Sequence, residues 1–120
     1  MASKYRNIRT RGSASKKEAK RKLVLEQKER DGEISDLKCQ VPFELISQKR
    51  EPDIIGPRGG IKKGKVIEHS CQYIADFTYL ENGEMVVEDA KGYRGGEAYA
   101  LFVVKRKLML DRYGIRVREV

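Results

Sequence analysis

Two aspartates and a lysine, Asp76, Asp89 and Lys91, occur close together on a predicted β-hairpin. The dipeptide Asn82-Gly83 between two strand-like segments favours the positive φ angles of a two-residue type I′ turn. This turn predicts a register that places Asp76 opposite Asp89, in a non-hydrogen-bonded pair where side chains approach most closely. Strand alternation puts Lys91 on the same face as Asp89. The hairpin therefore predicts a cluster of two carboxylates and one ammonium.

Two carboxylates that face each other on a semi-buried surface repel, unless a cation or a proton lies between them. Lys91 supplies one positive charge, and a divalent metal ion would supply more. Oxygen ligands suit Mg²⁺ or Mn²⁺ rather than zinc. We expect this face to be largely buried, because it also carries Ile74, Leu80, Met85 and Val87. Two interpretations remain open from these residues, a metal site and a structural ion-pair cluster at the end of the sheet.

The elements that position this cluster can be predicted along the chain. Ser15 and Glu18 have the spacing of a capping box, which predicts a helix over residues 15–30. Residues 37–46 form a predicted strand, and its Pro42 favours an edge position or a bulge. A second helix over residues 97–113 should end at Gly114, before a short last strand that pairs in parallel through a right-handed crossover. The prediction is an α/β fold of order α-β-β-β-α-β, with a mixed sheet flanked by helices.

Particular side chains should face the core. In the first helix we expect a narrow buried stripe, and in the second helix several apolar residues that face inward. The expected buried residues are Ala19, Leu23 and Val24 in the first helix and Ala98, Leu101, Phe102, Leu108 and Met109 in the second. Residues 1–14 are predicted to be a flexible basic arm, residues 15–120 a single domain, and residues 48–66 a basic, glycine-rich loop within it.

The net charge of +8 in this 120-residue chain comes entirely from its first quarter. Residues 1–30 contain eleven Lys or Arg and three Glu, whereas the remainder has equal numbers of each sign. A basic arm and helix is a plausible binding surface for phosphates, although solvated basic tails are also common. Cys39 and Cys71 lack the spacing of a zinc site or a disulfide framework, and no apolar segment suits a signal peptide or a membrane span. We therefore expect a cytoplasmic protein with no membrane partner.

The hairpin residues resemble the signature of the PD-(D/E)XK nucleases, with Asp76 as the lone acid and Asp89-Ala90-Lys91 as the (D/E)XK element. The segments SKKEAKR, GEISDLKCQVPFEL, YIADFTY, VVEDAKG and KRKL are similar to a phage-encoded group of small proteins related to that superfamily. The resemblance covers most of residues 3–120 and is weakest over residues 48–66. It implies the restriction-endonuclease-like α-β-β-β-α-β core. The chain departs from the signature in having Ala75 in place of proline and Asp89 in place of the more usual glutamate.

The resemblance also implies roles for individual residues. Asp76, Asp89 and the main-chain carbonyl of Ala90 would bind Mg²⁺, with Mn²⁺ as a substitute. Glu18 matches the helix acid that often completes the metal site, but the capping box competes for the same side chain. Lys91 would orient or deprotonate water, or stabilise the transition state; two acidic neighbours favour the last role. No cysteine or serine nucleophile is needed, because bound metal ions activate water and stabilise the leaving group.

Several weaker candidates could contact DNA. They are the basic residues of the first helix, the loop and the second helix, together with a polar residue in the first strand: Lys16, Lys17, Lys20, Arg21, Lys62, Lys63, Lys105 and Gln40. A satisfied buried amide is the competing interpretation for Gln40, and a solvated surface for the cations. His69 is expected at the surface, as are Glu88 and Glu97. The segment GGIKKGK formally begins a phosphate-binding loop but lacks the Ser or Thr and the following helix, which excludes ATP binding.

Three functions follow from these residues. The first is a Mg²⁺-dependent endodeoxyribonuclease, selective for DNA structure rather than sequence; the resemblance favours branched DNA such as a Holliday junction in a phage-infected host cytoplasm. Two symmetric cuts would require a homodimer. The second is a non-catalytic DNA-binding module that uses a nuclease-like fold, and the third is a basic protein of an RNA–protein assembly.

Overall fold

The computed structural model describes residues 15–120, and the predicted flexible arm of residues 1–14 lies outside the described residues. Two helices and eight strands occur in this part of the chain. In chain order they are α1 (Lys16–Arg30), β1 (Ser35–Ile46), β2 (Lys49–Arg50), β3 (Ile54–Ile55), β4 (Ile61–Lys62), β5 (Val66–Glu68), β6 (Cys71–Glu81), β7 (Glu84–Asp89), α2 (Gly96–Tyr113) and β8 (Arg118–Glu119).

The main sheet is mixed and has the strand order β1-β6-β7-β8. β1, β6 and β7 are antiparallel neighbours, whereas β8 pairs with β7 in parallel after the crossover through α2. Val87 packs with Phe102 and Met109 of α2, while its neighbour Val86 packs with the cluster around Leu25 of α1. Adjacent residues of a strand point to opposite faces, so the two helices flank the sheet. The predicted α/β class, with a mixed sheet and flanking helices, is confirmed.

Helix α1 begins as its sequence predicts but buries a different face. Ser15 caps it by accepting a hydrogen bond from the backbone N–H of Glu18 at 3.0 Å. The predicted buried stripe is wrong, because Leu23 is 67% exposed and Ala19 and Val24 are also exposed, whereas Leu25 is fully buried. The face towards the sheet also carries a charged residue, Arg21, so an apolar stripe could not reveal it.

Helix α2 spans nearly the predicted range, and Gly114 ends it in the left-handed conformation with φ 70°. Phe102 and Met109 are buried and Leu108 is partly buried, as expected. Ala98 and Leu101 are exposed, contrary to prediction, because the first turns of α2 lie beside an open cavity.

The left-handed backbone at Gly114 gives a specific stability prediction. A Cβ at this position would meet no atom within 4 Å, so Gly114→Ala should destabilise the protein only through its φ of 70°, by about 1 kcal/mol. Gly60→Ala is the matched control, because Gly60 has equally open space without a positive φ. Urea denaturation would measure both variants, and equal stabilities would contradict the assignment of Gly114 as the residue that requires glycine.

The β6–β7 hairpin has the predicted register. Asn82 and Gly83 have φ angles of 53° and 81°, and pairing runs from Glu81–Glu84 to Phe77–Glu88. The expected pair of Asp76 with Asp89 would come next, but the ladder ends one pair before it. The two carboxylates are therefore not held by regular strand pairing.

Residues 48–66 were expected to form a loop, and this prediction is wrong. β2 pairs with β5, and β3 pairs with β4, to form two successive two-stranded antiparallel sheets. We call residues 49–68 the ribbon. The short strands escaped prediction because Pro52, Pro57 and the glycines interrupt every run of alternating residues.

Neither helix in residues 15–120 combines the length and the hydropathy that crossing a membrane requires.

Candidate active site

The acids and the lysine of the sequence signature meet at one cavity of about 440 Å³ between the N-terminal ends of the two helices and the sheet. Its lining includes Glu18, Asp76, Asp89, Ala90, Lys91 and Lys105. Ile74 also lines it and is 53% exposed, as is Met85, so the predicted burial of these two residues is wrong. The open cavity replaces the apolar cover that the strand pattern implied for Ile74.

An irregularity in two strands presents Asp76 to this cavity. Tyr73 and Ala75 pack in the cluster of α2, whereas Phe77 and Tyr79 pack in the cluster of α1, so the buried face of β6 changes on passing Asp76. Gln40 lies on β1 between the partners of Phe77 and Ala75, and it has a left-handed φ of 54°. A non-glycine residue in this conformation is strained and clusters at functional sites.

The irregular Gln40 contacts two acids of the cavity. Its amide Nε2 donates to Glu18 Oε2 at 3.0 Å and to Asp76 Oδ1 at 3.4 Å. Gln40 is exposed, so the interpretation as a buried amide is wrong. The neighbouring Cys39 is also exposed.

Asp89 is held from two sides. Its Oδ2 accepts a hydrogen bond from the Tyr73 hydroxyl at 2.6 Å, and its Oδ1 pairs with Lys91 Nζ at 3.0 Å. The Lys91 ammonium also lies 3.9 Å from the centre of the Phe102 ring. Burial, and then the hydrogen bond to Asp89, raise the pKa of Tyr73, which keeps its hydroxyl a donor. The contact of Tyr73 with Asp89 was not predicted from the sequence, because a tyrosine in a strand of alternating apolar residues is expected to be a core residue.

Glu18 points towards the sheet, although it occupies the third position of a capping box. Its carboxylate accepts from Gln40, and Ser15 caps the helix with its own hydroxyl. The Glu18 side chain therefore lies at the cavity and contacts Gln40.

The pKa values of Asp76 and Glu18 are both raised. Burial is the largest cause for Asp76, and the charges of Asp89 and Glu18 add to it; a hydrogen bond from the Ala90 N–H at 2.9 Å opposes them, and the pKa is about 6. The pKa of Glu18 is raised by burial and then by the charge of Asp89. Excess negative charge in a partly enclosed cavity attracts a cation.

The donor chemistry fits Mg²⁺, which proteins usually bind through one or two carboxylates together with water and substrate phosphate. Asp76, Asp89 and the Ala90 carbonyl would be the protein ligands, with Glu18 behind them. Among residues 15–120, no three His, Cys, Asp or Glu side chains form a ready-made metal-binding group. The expected fit to Mg²⁺ therefore depends on the two carboxylates of Asp76 and Asp89.

The raised pKa of Asp76 predicts how pH changes the stability of the metal-free protein. Because the folded protein binds the Asp76 proton more tightly than the unfolded chain does, stability should fall as pH rises from the ordinary value of 3.8 to about 6. Asp76→Asn removes this cost and can keep the contact with the Ala90 N–H. In EDTA we expect the variant to be more stable than wild type at pH 7.5 and no more stable below pH 4, as measured by urea denaturation.

Magnesium should change the stability of wild type but not that of the Asp76→Asn variant. Addition of Mg²⁺ at pH 7.5 should stabilise wild type, because an ion that binds only the folded protein raises the free energy of unfolding. The stability of Asp76→Asn should be nearly unchanged, because this variant lacks one of the expected ligands. A variant less stable than wild type in EDTA at pH 7.5 would contradict this electrostatic account of the cavity.

The predicted cations occupy different places. Lys105 lines the cavity, and Lys17 Nζ donates to the Lys91 carbonyl at 2.7 Å, beside it. Lys16, Lys20, Lys62 and Lys63 are exposed, as is His69. Phosphate binding by these residues therefore stays a prediction.

Arg21 is engaged within the protein. Its guanidinium binds Glu88 through two hydrogen bonds of 2.9 and 2.7 Å. Glu88, expected at the surface, is fully buried, and the Tyr79 hydroxyl also donates to it. Burial raises the pKa of Glu88, but these hydrogen bonds outweigh it and the pKa is lowered. The pair joins α1 to the sheet one helical turn from Glu18.

Comparisons with known proteins give a family and no nearer relative. Neither the curated proteins nor the solved structures contain a match to this chain. One family model matches residues 2–118, and the chain therefore belongs to the family described as "Protein of unknown function (DUF1064)".

Proposed function

We propose that the chain is a Mg²⁺-dependent endodeoxyribonuclease that hydrolyses phosphodiester bonds at branches in DNA. One observation carries the proposal: Glu18, Asp76 and Asp89 line a single open cavity together with Lys91. Three acids and a lysine that line one open cavity suit metal-assisted attack of water on a phosphodiester.

The residues divide the work as follows. Asp76, Asp89 and the Ala90 carbonyl would hold Mg²⁺, which, when bound, supplies an activated water and stabilises the charge that develops on phosphate. Lys91 is fixed at the cavity by Asp89 and the Phe102 ring, which suits electrostatic stabilisation of the transition state. Gln40 orients Glu18 and Asp76 through its amide. Lys17 and Lys105 would attract the flanking phosphates.

Selectivity for branched DNA is proposed from the exposed cations and from the resemblance. Lys16, Lys20, Lys62 and Lys63 are exposed, and cations of this kind bind backbone phosphates, which fix position without reading sequence. The resemblance to small phage-encoded relatives of the PD-(D/E)XK nucleases favours a Holliday junction. Two symmetric cuts at a junction would require two active sites, and hence a homodimer.

A non-catalytic DNA-binding module is the second candidate. It is favoured by the lack, within residues 15–120, of three metal-ligating side chains already arranged around one point. Binding of DNA without hydrolysis would then use the same basic surface.

Cleavage of an end-labelled four-way junction beside a linear duplex of matched sequence tests the proposal. Paired cuts near the branch in Mg²⁺, and none in EDTA, would support a junction-resolving nuclease. Equal cutting of both substrates would retain the nuclease and reject the branch selectivity. Tight binding without cuts in Mg²⁺ or Mn²⁺ would favour the binding module, and preference for RNA irrespective of metal would favour an RNA–protein assembly.

A further inference from the structure

The ribbon (residues 49–68) extends the two strands that carry the candidate site. It leaves β1 after Ile46 and returns into β6 at Cys71, whereas Gln40 and Asp76 lie farther along the same strands. Five or six residues of strand separate the base of the ribbon from these two side chains, a distance of roughly 15–20 Å. The ribbon is therefore continuous with the strands that present the cavity.

Hydrogen bonds link the two sides of the ribbon, and their backbones approach closely at its middle. Glu51 N–H donates to the Lys65 carbonyl at 2.8 Å, and the Asp53 carboxylate accepts from Gly64 N–H at 2.9 Å. A Cβ on Gly64 would lie only 1.8 Å from the Glu51 carbonyl oxygen, so only glycine fits there. This precision is unexpected in a segment that merely connects two strands.

The outer half of the ribbon exposes apolar side chains on both faces. Ile55 pairs with Ile61 across the strands, and Ile54 pairs with Lys62, so the two pairs project to opposite faces. Ile54, Ile55 and Ile61 are 62%, 75% and 71% exposed. A two-stranded hairpin with no sheet or helix against it is marginal in water, so these isoleucines indicate a partner.

The charge of the ribbon selects the partner's chemistry. Residues 49–68 contain six Lys or Arg and three Asp or Glu. The exposed Arg58, Lys62, Lys63 and Lys65 form no ion pair with the described residues. A polyanion with apolar surface inside a groove complements both features. Duplex DNA has this combination, because thymine methyl groups line its major groove between two rows of phosphates.

We propose that the ribbon lies in the major groove of the duplex that flanks the cleavage point, an inference that rests on the proposed nuclease function. The major groove, about 12 Å wide, admits a two-stranded ribbon, whereas the minor groove, about 6 Å wide, does not without deformation. The isoleucines of one face contact thymine methyl groups, and the lysines contact the phosphates at the rims. The ribbon thereby holds the helical flank while the cavity engages the scissile phosphate.

Binding can be measured in the Asp89→Asn background, where cleavage does not interfere. Ile55→Gln/Ile61→Gln removes the apolar pair without changing charge, and should weaken binding to a junction with 20-bp arms about tenfold. The control, Val104→Gln/Leu110→Gln, changes two exposed apolar residues of α2, 53% and 50% exposed, and should leave binding unchanged. Lys62→Gln/Lys63→Gln/Lys65→Gln should reduce the salt dependence, lowering the slope of log K against log salt by about 3.

Methylation of guanine N7 in the flanking arms identifies the groove. This methylation should interfere with DNA binding by the Asp89→Asn protein, whose ribbon is unchanged. It should not interfere with binding once Ile55→Gln and Ile61→Gln are added. Interference confined to adenine N3 would overturn the major-groove placement, and ribbon variants that bind DNA like their parent would overturn the proposal. Because these substitutions alter exposed side chains, circular dichroism should show an unchanged fold.

The two proposals can fail separately. Ribbon-dependent binding by a protein that never cuts DNA in Mg²⁺ would reject the nuclease and keep the ribbon as a DNA-binding element. Normal cleavage and binding by every ribbon variant would keep the nuclease and reject the ribbon proposal.

Discussion

Asp89→Asn should abolish DNA cleavage in Mg²⁺, by roughly 10³-fold or more, while the protein continues to fold and to bind DNA. The loss follows because the carboxylate contributes several kcal/mol of transition-state stabilisation through the metal, and each 1.4 kcal/mol is tenfold in rate. Binding should be retained or strengthened, since the substitution removes a negative charge from a cavity that faces phosphate. Single-turnover cleavage and a parallel binding assay would measure the two effects.

The control for this variant lies in the contacts of Asp89. Asparagine can still accept the hydrogen bond that the Tyr73 hydroxyl donates at 2.6 Å, so the strand end should stay in place. Lys91→Met should also lose cleavage, because it removes the cation that pairs with Asp89. Unfolding of Asp89→Asn would instead support a structural ion-pair cluster, and undiminished cleavage would reject the proposed site.

Glu88→Gln, one residue away, should cause the opposite pattern, a large loss of stability. Glu88 is fully buried and binds Arg21 in a bidentate pair. Breaking a buried pair leaves an uncompensated charge, and because the Arg21 side chain is 24% exposed we expect the low end of the usual cost, about 3 kcal/mol. Denaturation in urea at pH 7 would measure it.

Two comparison variants separate charge burial from loss of a side chain. Glu97→Gln changes an exposed glutamate and should alter stability by less than about 0.5 kcal/mol. Arg21→Met in the Glu88→Gln protein should recover much of the loss, because the unpaired cation is removed. A Glu88→Gln protein as stable as wild type would show that the pair does not fasten α1 to the sheet.

The hairpin and helix ends were predictable because local chemistry determines them. Asn82-Gly83 favours a two-residue turn with positive φ angles, and that turn determines the register of both strands. Ser15 and Gly114 similarly determine where helices begin and end. Local signals of this kind do not depend on distant packing.

The rest of the site depends on contacts between distant residues. Burial of Glu88 requires Arg21, which lies 67 residues away in sequence, so an isolated glutamate in a strand reads as exposed. Gln40 contacts Glu18 and Asp76 from a backbone in the left-handed conformation. Nothing about a glutamine in a strand predicts that conformation. The strands of the ribbon are too short, and too interrupted by proline and glycine, to produce a periodic pattern.

Cleavage of a supercoiled plasmid that extrudes a cruciform, and so contains a four-way junction, is the most direct test of the central claim, since a single hydrolysed phosphodiester is detected as a nicked circle. We predict nicking by the wild-type protein in Mg²⁺ but not in EDTA, and none by Asp76→Asn, Asp89→Asn or Lys91→Met. A wild-type protein that binds the plasmid without nicking it in Mg²⁺ or Mn²⁺, or nicking that persists in Asp89→Asn, would contradict the assignment of this cavity as a metal-dependent nuclease site.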